Sequence, residues 1–127
     1  MPRSNRAKEP ARELAIAAAR LAADDNCEEI IVLDLRGISP VTDFFVIATG
    51  TSDRQIRSVA DDIARHGRSV GQKVSHVAGL DVGDWVCMDF FDVVVHLFRP
   101  ETRKYYSLET LWADLPWWPG NIDLPGA

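Results

Sequence analysis

The sequence has no apolar run near the ~20 residues that a membrane span requires. Its longest, Ile30 to Leu33 and Phe44 to Ala48, have the length of strands. No apolar stretch follows the basic residues of the first twelve positions, so no secretory signal is visible. Cysteine is scarce. Cys27 and Cys87 are the only two, and each sits among apolar neighbours. They read as small buried hydrophobes in a reducing compartment, not as a disulfide framework, and cytoplasm is the expected location. Histidine is limited to His66, His76 and His96. No two of them have metal-ligand spacing, and neither cysteine has a second ligand near it in sequence, so no metal site is expected.

A basic excess is also missing. Arg3, Arg6, Lys8 and Arg12 against Glu9 give the first twelve residues a charge of +3. The other 115 carry ten basic and eighteen acidic groups, hence −8. A protein that holds nucleic acid by its phosphates needs a basic face. The acidic domain excludes direct DNA binding as the first expectation and suits a basic protein partner, whose encounter its field would steer. The same charge also serves simply to keep a protein in solution.

What is present is ordinary globular material. The chain has 127 residues, 46% hydrophobic and 26% charged, enough for one domain with a real core. Pro10 to about Asn26 reads as an amphipathic helix with Leu14, Ala17, Ala18, Leu21 and Ala22 on its apolar face. Ile30 to Leu35 and Phe44 to Thr49 are strands, the second hydrophobic enough to be covered on both faces. Ser52-Asp53-Arg54-Gln55 fits a capping box. Behind it Ile56, Val59, Ala60, Ile63 and Ala64 repeat at helical spacing, with Gly67 and Gly71 at the end. Lys73 to Val77 is a short strand, Ala78 to Asp84 a loop, and Trp85 to Asp89 with Asp92 to Phe98 an antiparallel pair. Pro100 stops the last strand, and a short helix runs from Ser107 to about Asp114. The order predicts a single α/β domain, a mixed five-stranded sheet with flanking helices, over residues 10–114. Residues 1–9 are a flexible basic N-terminus. Residues 115–127 are an irregular tail rich in proline, with Trp117 and Trp118 as its anchors.

Little in this sequence points to catalysis. His66 falls near a helix end and His76 beside a loop. His96 interrupts an apolar strand and reads as a hydrogen-bonded structural residue. Gly50-Thr51-Ser52 leads into a helix N-terminus, a place that can bind phosphate, but a plain helix cap already explains it. No Walker lysine and no Gly-x-Gly-x-x-Gly are present. Nucleotidyl transfer would need paired carboxylates close behind that turn to hold metal ions. Asp61 and Asp62 lie on the helix instead, and Asp89 and Asp92 are much further on, directed to opposite faces unless a turn intervenes. Asp34, Asp43 and Asp53 stand at element ends, as capping carboxylates do. Arg103-Lys104-Tyr105-Tyr106 is a small basic-aromatic cluster, a weak nucleic-acid signal by itself. No catalytic residue, metal or cofactor is assigned, and the chain is expected not to be an enzyme.

The motifs in order have a recognisable pattern. Leu33-Asp34-Leu35-Arg36 comes first, then the run Thr42-Asp43-Phe44 to Gln55. Trp85-Val86 with Asp89, Asp92 to Phe98, Arg103 with Tyr106, and Leu108-Glu109 with Leu111-Trp112 follow. This string, from about residue 11 to residue 113, resembles the ribosomal silencing factor family, also called the Iojap family. The resemblance implies a fold similar to the nucleotidyltransferase core without its catalytic carboxylates, and a homodimer. It also implies binding to the fourteenth protein of the large ribosomal subunit. The small subunit is then blocked sterically from joining, which represses translation and negatively regulates ribosome assembly.

Carried over by position, the docking stretch is Trp85, Asp89 and Asp92, with Trp85 the anchor and the aspartates the charge partners. Trp85 reads equally well as a core tryptophan, and Asp92 as a turn residue. Two departures stand out. Where the family usually has Glu-Gly ahead of the tryptophan, this chain has Ala78-Gly79. Where the family usually places Gly before the second aspartate, this chain has Phe90-Phe91. Either Phe91 accepts a strained conformation or the turn opens; both put two aromatic rings at the tip, so Phe90 and Phe91 join the expected partner-binding set. The other functional classes are a nucleotide-binding or nucleotidyl-transferring enzyme on the same core and a self-associating scaffold using Phe90, Phe91, Trp117 and Trp118.

Overall fold

The structure, a computed structural model, describes residues 3–37, 39–40 and 42–102, with side chains from residue 10 onward. The first helix, α1 (Arg3–Asp24), starts seven residues before the expected Pro10, which lies inside it. Proline there has no N–H to donate to the preceding turn and so forfeits one helical hydrogen bond; its carbonyl accepts from Gln72 Nε2 at 2.9 Å. Its buried face is mostly alanine: Ala11, Ala15, Ala18, Ala19 and Ala22, with Leu14. Ala17 and Leu21, expected inside, are half-buried. Such small side chains bring the helix axis close to the sheet beneath. Asn26 ends the helix in the left-handed region (φ 68°). The N–H groups of Asn26 and Cys27 donate back to Ala23 and Ala22 in a Schellman arrangement.

β1 (Glu28–Asp34) and β2 (Phe44–Thr49) pair antiparallel; α2 (Asp53–Ser69) follows, then β3 (His76–Ala78), β4 (Trp85–Asp89) and β5 (Val93–Phe98). The sheet order is β1-β2-β5-β4-β3. β2 and β5 are its parallel centre, and β5–β4 and β4–β3 are antiparallel. This is the expected mixed five-stranded sheet. β3 is three residues long and starts at His76 rather than Lys73. The short helix and the tail expected after residue 103 lie outside the described residues.

α2 is capped as its sequence demands. Ser52 Oγ accepts from Gln55 N at 3.1 Å, and Gln55 Oε1 reaches back to Thr51 N. Gly71 closes the other end with a positive φ of 78°.

Strand alternation divides the sheet into two faces. Phe44, Val46, Ala48, Val86, Met88, Val93, Val95 and Leu97 pack in one cluster with buried residues of α1 and α2. The opposite face carries a second buried cluster of Leu33, Leu35, Ile47 and Phe98, with Ile31, Phe45 and Trp85 packed against it. No helix among the described residues is long and apolar enough to cross a membrane.

Candidate docking surface on the β4–β5 hairpin

The hairpin register brings the expected site residues into two groups. Phe90 N donates to Val93 O at 2.8 Å, so only Phe91 and Asp92 form the loop. Phe91 has φ 75°, and Asp92 N donates to Phe90 O at 3.0 Å. A positive φ with this three-residue hydrogen bond is the rarer, strained kind of γ-turn. The turn therefore stays closed and Phe91 takes the strain. Asp89 supports it by accepting from Phe91 N through Oδ1 at 2.8 Å.

Phe91 is the most exposed large hydrophobic side chain among the described residues, at 69%. Asp92 is exposed beside it and Asp89 half-buried. The tip is fixed to its surroundings by backbone contacts. Asp92 O accepts from the N–H groups of Asp43 and Phe44, and Asp89 O accepts from Ser75. A projecting aromatic ring thus stands on a rigid mount with carboxylates around it.

Phe90 is not part of that tip. It is 6% exposed and its ring lies against Gly67 in α2. Successive residues at the strand end point to opposite sides, so with Phe91 outward Phe90 must enter the core. The expectation of two aromatic rings at the tip is corrected to one.

Trp85 lies at the far end of β4, four residues from Asp89 and hence roughly 13 Å away along the strand. It is neither a free surface anchor nor a core residue. Its ring is half-buried, stacked on Phe98 at 5.0 Å and 29°. Its indole N–H donates to His96 Nδ1 at 3.2 Å. His96 is buried, edge-on to Phe45 at 4.8 Å, and burial pushes its pKa down to about 4. This hydrogen bond fits the structural role read for His96, but its partner was not foreseen. The register could have named it: a two-residue loop pairs Trp85 with Phe98, and His96 is then the diagonal neighbour on the same face.

Among the described residues the other chemical candidates do not gather into a metal site. His76 is exposed and His66 half-buried. Burial raises the Cys27 thiol to about 11, helped by the charges of Asp25 and Glu28. Burial and Asp89 raise Cys87 as well. Thiols held protonated are poor nucleophiles and ligands, and both cysteines are free. Asp61 and Asp62 do not form a cation clamp: Arg65 bonds Asp61. The Asp25 carboxyl is raised by its own burial and by neighbouring Asp62. Among the described residues no group of three His, Cys, Asp or Glu is arranged to hold a metal ion. Gly50 is explained by packing, since a Cβ there would stand 2.6 Å from Ile56 Cγ1.

The family model described as "Ribosomal silencing factor during starvation" matches residues 8–125. The chain belongs to the RsfS family. It is 45% identical over 104 residues to the ribosomal silencing factor RsfS of Bacillus subtilis (strain 168), covering 81% of this chain and 86% of that one. It is 37% identical over 103 residues to the chloroplastic protein Iojap of Zea mays, covering 79% of this chain and 43% of that longer one. A crystal structure of a Chromobacterium violaceum protein superposes with a TM-score of 0.74 at 31% identity, covering 88% of this chain and 92% of that one. Membership of the RsfS family makes this chain a ribosome-associated regulator of translation.

Proposed function

We propose that this protein binds the large ribosomal subunit through a basic ribosomal protein, the fourteenth of that subunit, and sterically blocks joining of the small subunit. The docking surface is the outer side of the β4–β5 hairpin: Phe91, Asp92 and Asp89 at the tip and Trp85 at the base. The observation that carries this reading is the projection of Phe91 from a strained turn among carboxylates. A large aromatic side chain held exposed at positive φ is costly by itself, and such strain concentrates at functional positions. Aromatic residues also dominate binding energy when a partner desolvates them, while flanking charges select the partner and speed encounter. Trp85 and Phe91 are close enough for one interface, because a standard patch of about 800 Å² per partner spans more than their separation. Phe90 is left out, being committed to the core.

Co-sedimentation with purified large subunits tests the proposal. Trp85→Ala and Phe91→Ala should each weaken binding by about tenfold or more, the range of interface hot spots. Asp92→Lys should slow association and reduce its salt dependence. Asp89→Lys is a poorer probe, because Asp89 Oδ1 also holds the turn. Addition of the protein should lower the yield of joined ribosomes from separate subunits. Wild-type protein that does not sediment with large subunits would overturn the function, and undiminished binding by all three variants the surface.

A further inference from the structure

Trp85 could present its indole in several orientations, and the structure selects one. Stacking on Phe98 fixes the plane of the ring but leaves its direction within that plane open. The hydrogen bond to His96 closes that freedom, since only one edge of an indole carries a donor. His96 is itself held fast. It stands on β5 between β2 and β4, opposite Ile47 and Cys87, with its ring edge-on to Phe45 and nearly parallel to Phe98.

A histidine in this position is expensive. It is 6% exposed, and neighbouring Leu33, Ile47 and Phe98 form an apolar face. Because Nδ1 accepts, the proton of the neutral ring sits on Nε2. Among the described residues that buried atom has no hydrogen-bond partner, a cost that a leucine would not incur. Among the described residues the ring's polar contact is the acceptor it offers Trp85.

We propose that His96 is the positioning residue of the docking surface, locking the Trp85 indole through Nδ1 in the orientation that meets the partner. The inference rests on the docking role proposed above for Trp85. It adds that this role requires a second residue, one that never touches the partner. Ordering a side chain before binding removes about 0.5–1.5 kcal/mol from the association cost, equivalent to a roughly two- to tenfold change in affinity.

Two measurements decide it. In the wild-type protein, nitrogen-15 spectra of the imidazole should show His96 protonated at Nε2 and bare at Nδ1; the opposite tautomer would overturn the proposal without any variant. His96→Leu should move the Trp85 indole N–H resonance, identified by its loss in Trp85→Phe, and weaken large-subunit binding roughly two- to tenfold. His96→Asn, whose side-chain oxygen can stand near the Nδ1 position, should restore both. In a Trp85→Ala background His96→Leu should change binding no further. An equal loss in that background, or an unmoved indole resonance, would reduce His96 to a packing residue. If wild-type protein fails to bind large subunits, the docking function falls, and the docking part of the inference with it. The tautomer and the indole resonance still decide separately whether His96 holds Trp85.

Discussion

Phe90 rests on Gly67 so closely that a Cβ added to that glycine would stand 2.8 Å from Phe90 Cε1 and 2.5 Å from the backbone oxygen of Gln72. This contact fastens the β4–β5 hairpin to the last turns of α2. It explains a glycine inside a helix, where alanine would ordinarily be preferred by about 1 kcal/mol. Gly67→Ala is therefore expected to lower stability, by about 1–3 kcal/mol, despite its better helix propensity. Phe90→Ala should cost about 3–5 kcal/mol through the cavity it leaves. Urea unfolding of the two variants checks both values, and a stabilised Gly67→Ala would contradict the packing described.

Phe91 should behave in the opposite way. A non-glycine residue at φ 75° stores about 1–3 kcal/mol, and glycine relieves it at some entropic cost. Phe91→Gly is expected to gain about 1 kcal/mol in thermal or urea unfolding while binding large subunits more weakly. A variant that gained stability and kept full affinity would leave the exposed ring without a role.

The stability of the protein should carry the signature of His96. Burial lowers its pKa from 6.5 to about 4, so between these values the unfolded chain binds a proton that the folded chain refuses. Stability is then present above about pH 6.5 and lost as pH falls toward 4. At 1.36 kcal/mol per unit, the loss is roughly 3 kcal/mol. Carboxylates add their own acid dependence, so the comparison is with His96→Asn, which should show a shallower fall across this window. Parallel curves would mean that the imidazole is not buried neutral.

The N-terminus of α2 offers a local test. Ser52→Ala removes the cap on Gln55 N and should cost about 1 kcal/mol. Gln55→Ala should cost at least as much, because Gln55 also ties α2 to α1 through the Asp25 carbonyl. Equal stability of wild type and both variants in urea would show that water replaces these bonds without loss.

Much of this architecture was legible in the chain. β2 and β4 span the residues expected of them, Phe44–Thr49 and Trp85–Asp89. The capping box at Ser52 is made as its spacing requires. Misplaced elements fail for identifiable reasons. Pro10 marked a helix start because proline favours the first turn, yet α1 continues through it. Ala17 and Leu21 share the apolar stripe with Leu14, but the helix is rotated so that Ala15 and Ala19 meet the sheet. Alanines on nearly every side leave a periodic pattern with little power to fix that rotation.

By itself the sequence determined the class of fold, the acidic charge, and family membership through an ordered string of motifs. These depend on local propensity, composition and chain order. The tertiary structure alone decided which of two adjacent phenylalanines projects from the hairpin, because that choice lies in the sign of one φ angle. It also decided what holds Trp85. The hydrogen bond from its indole to His96 exists only when two strands pair in one register, bringing together residues eleven apart on a shared face.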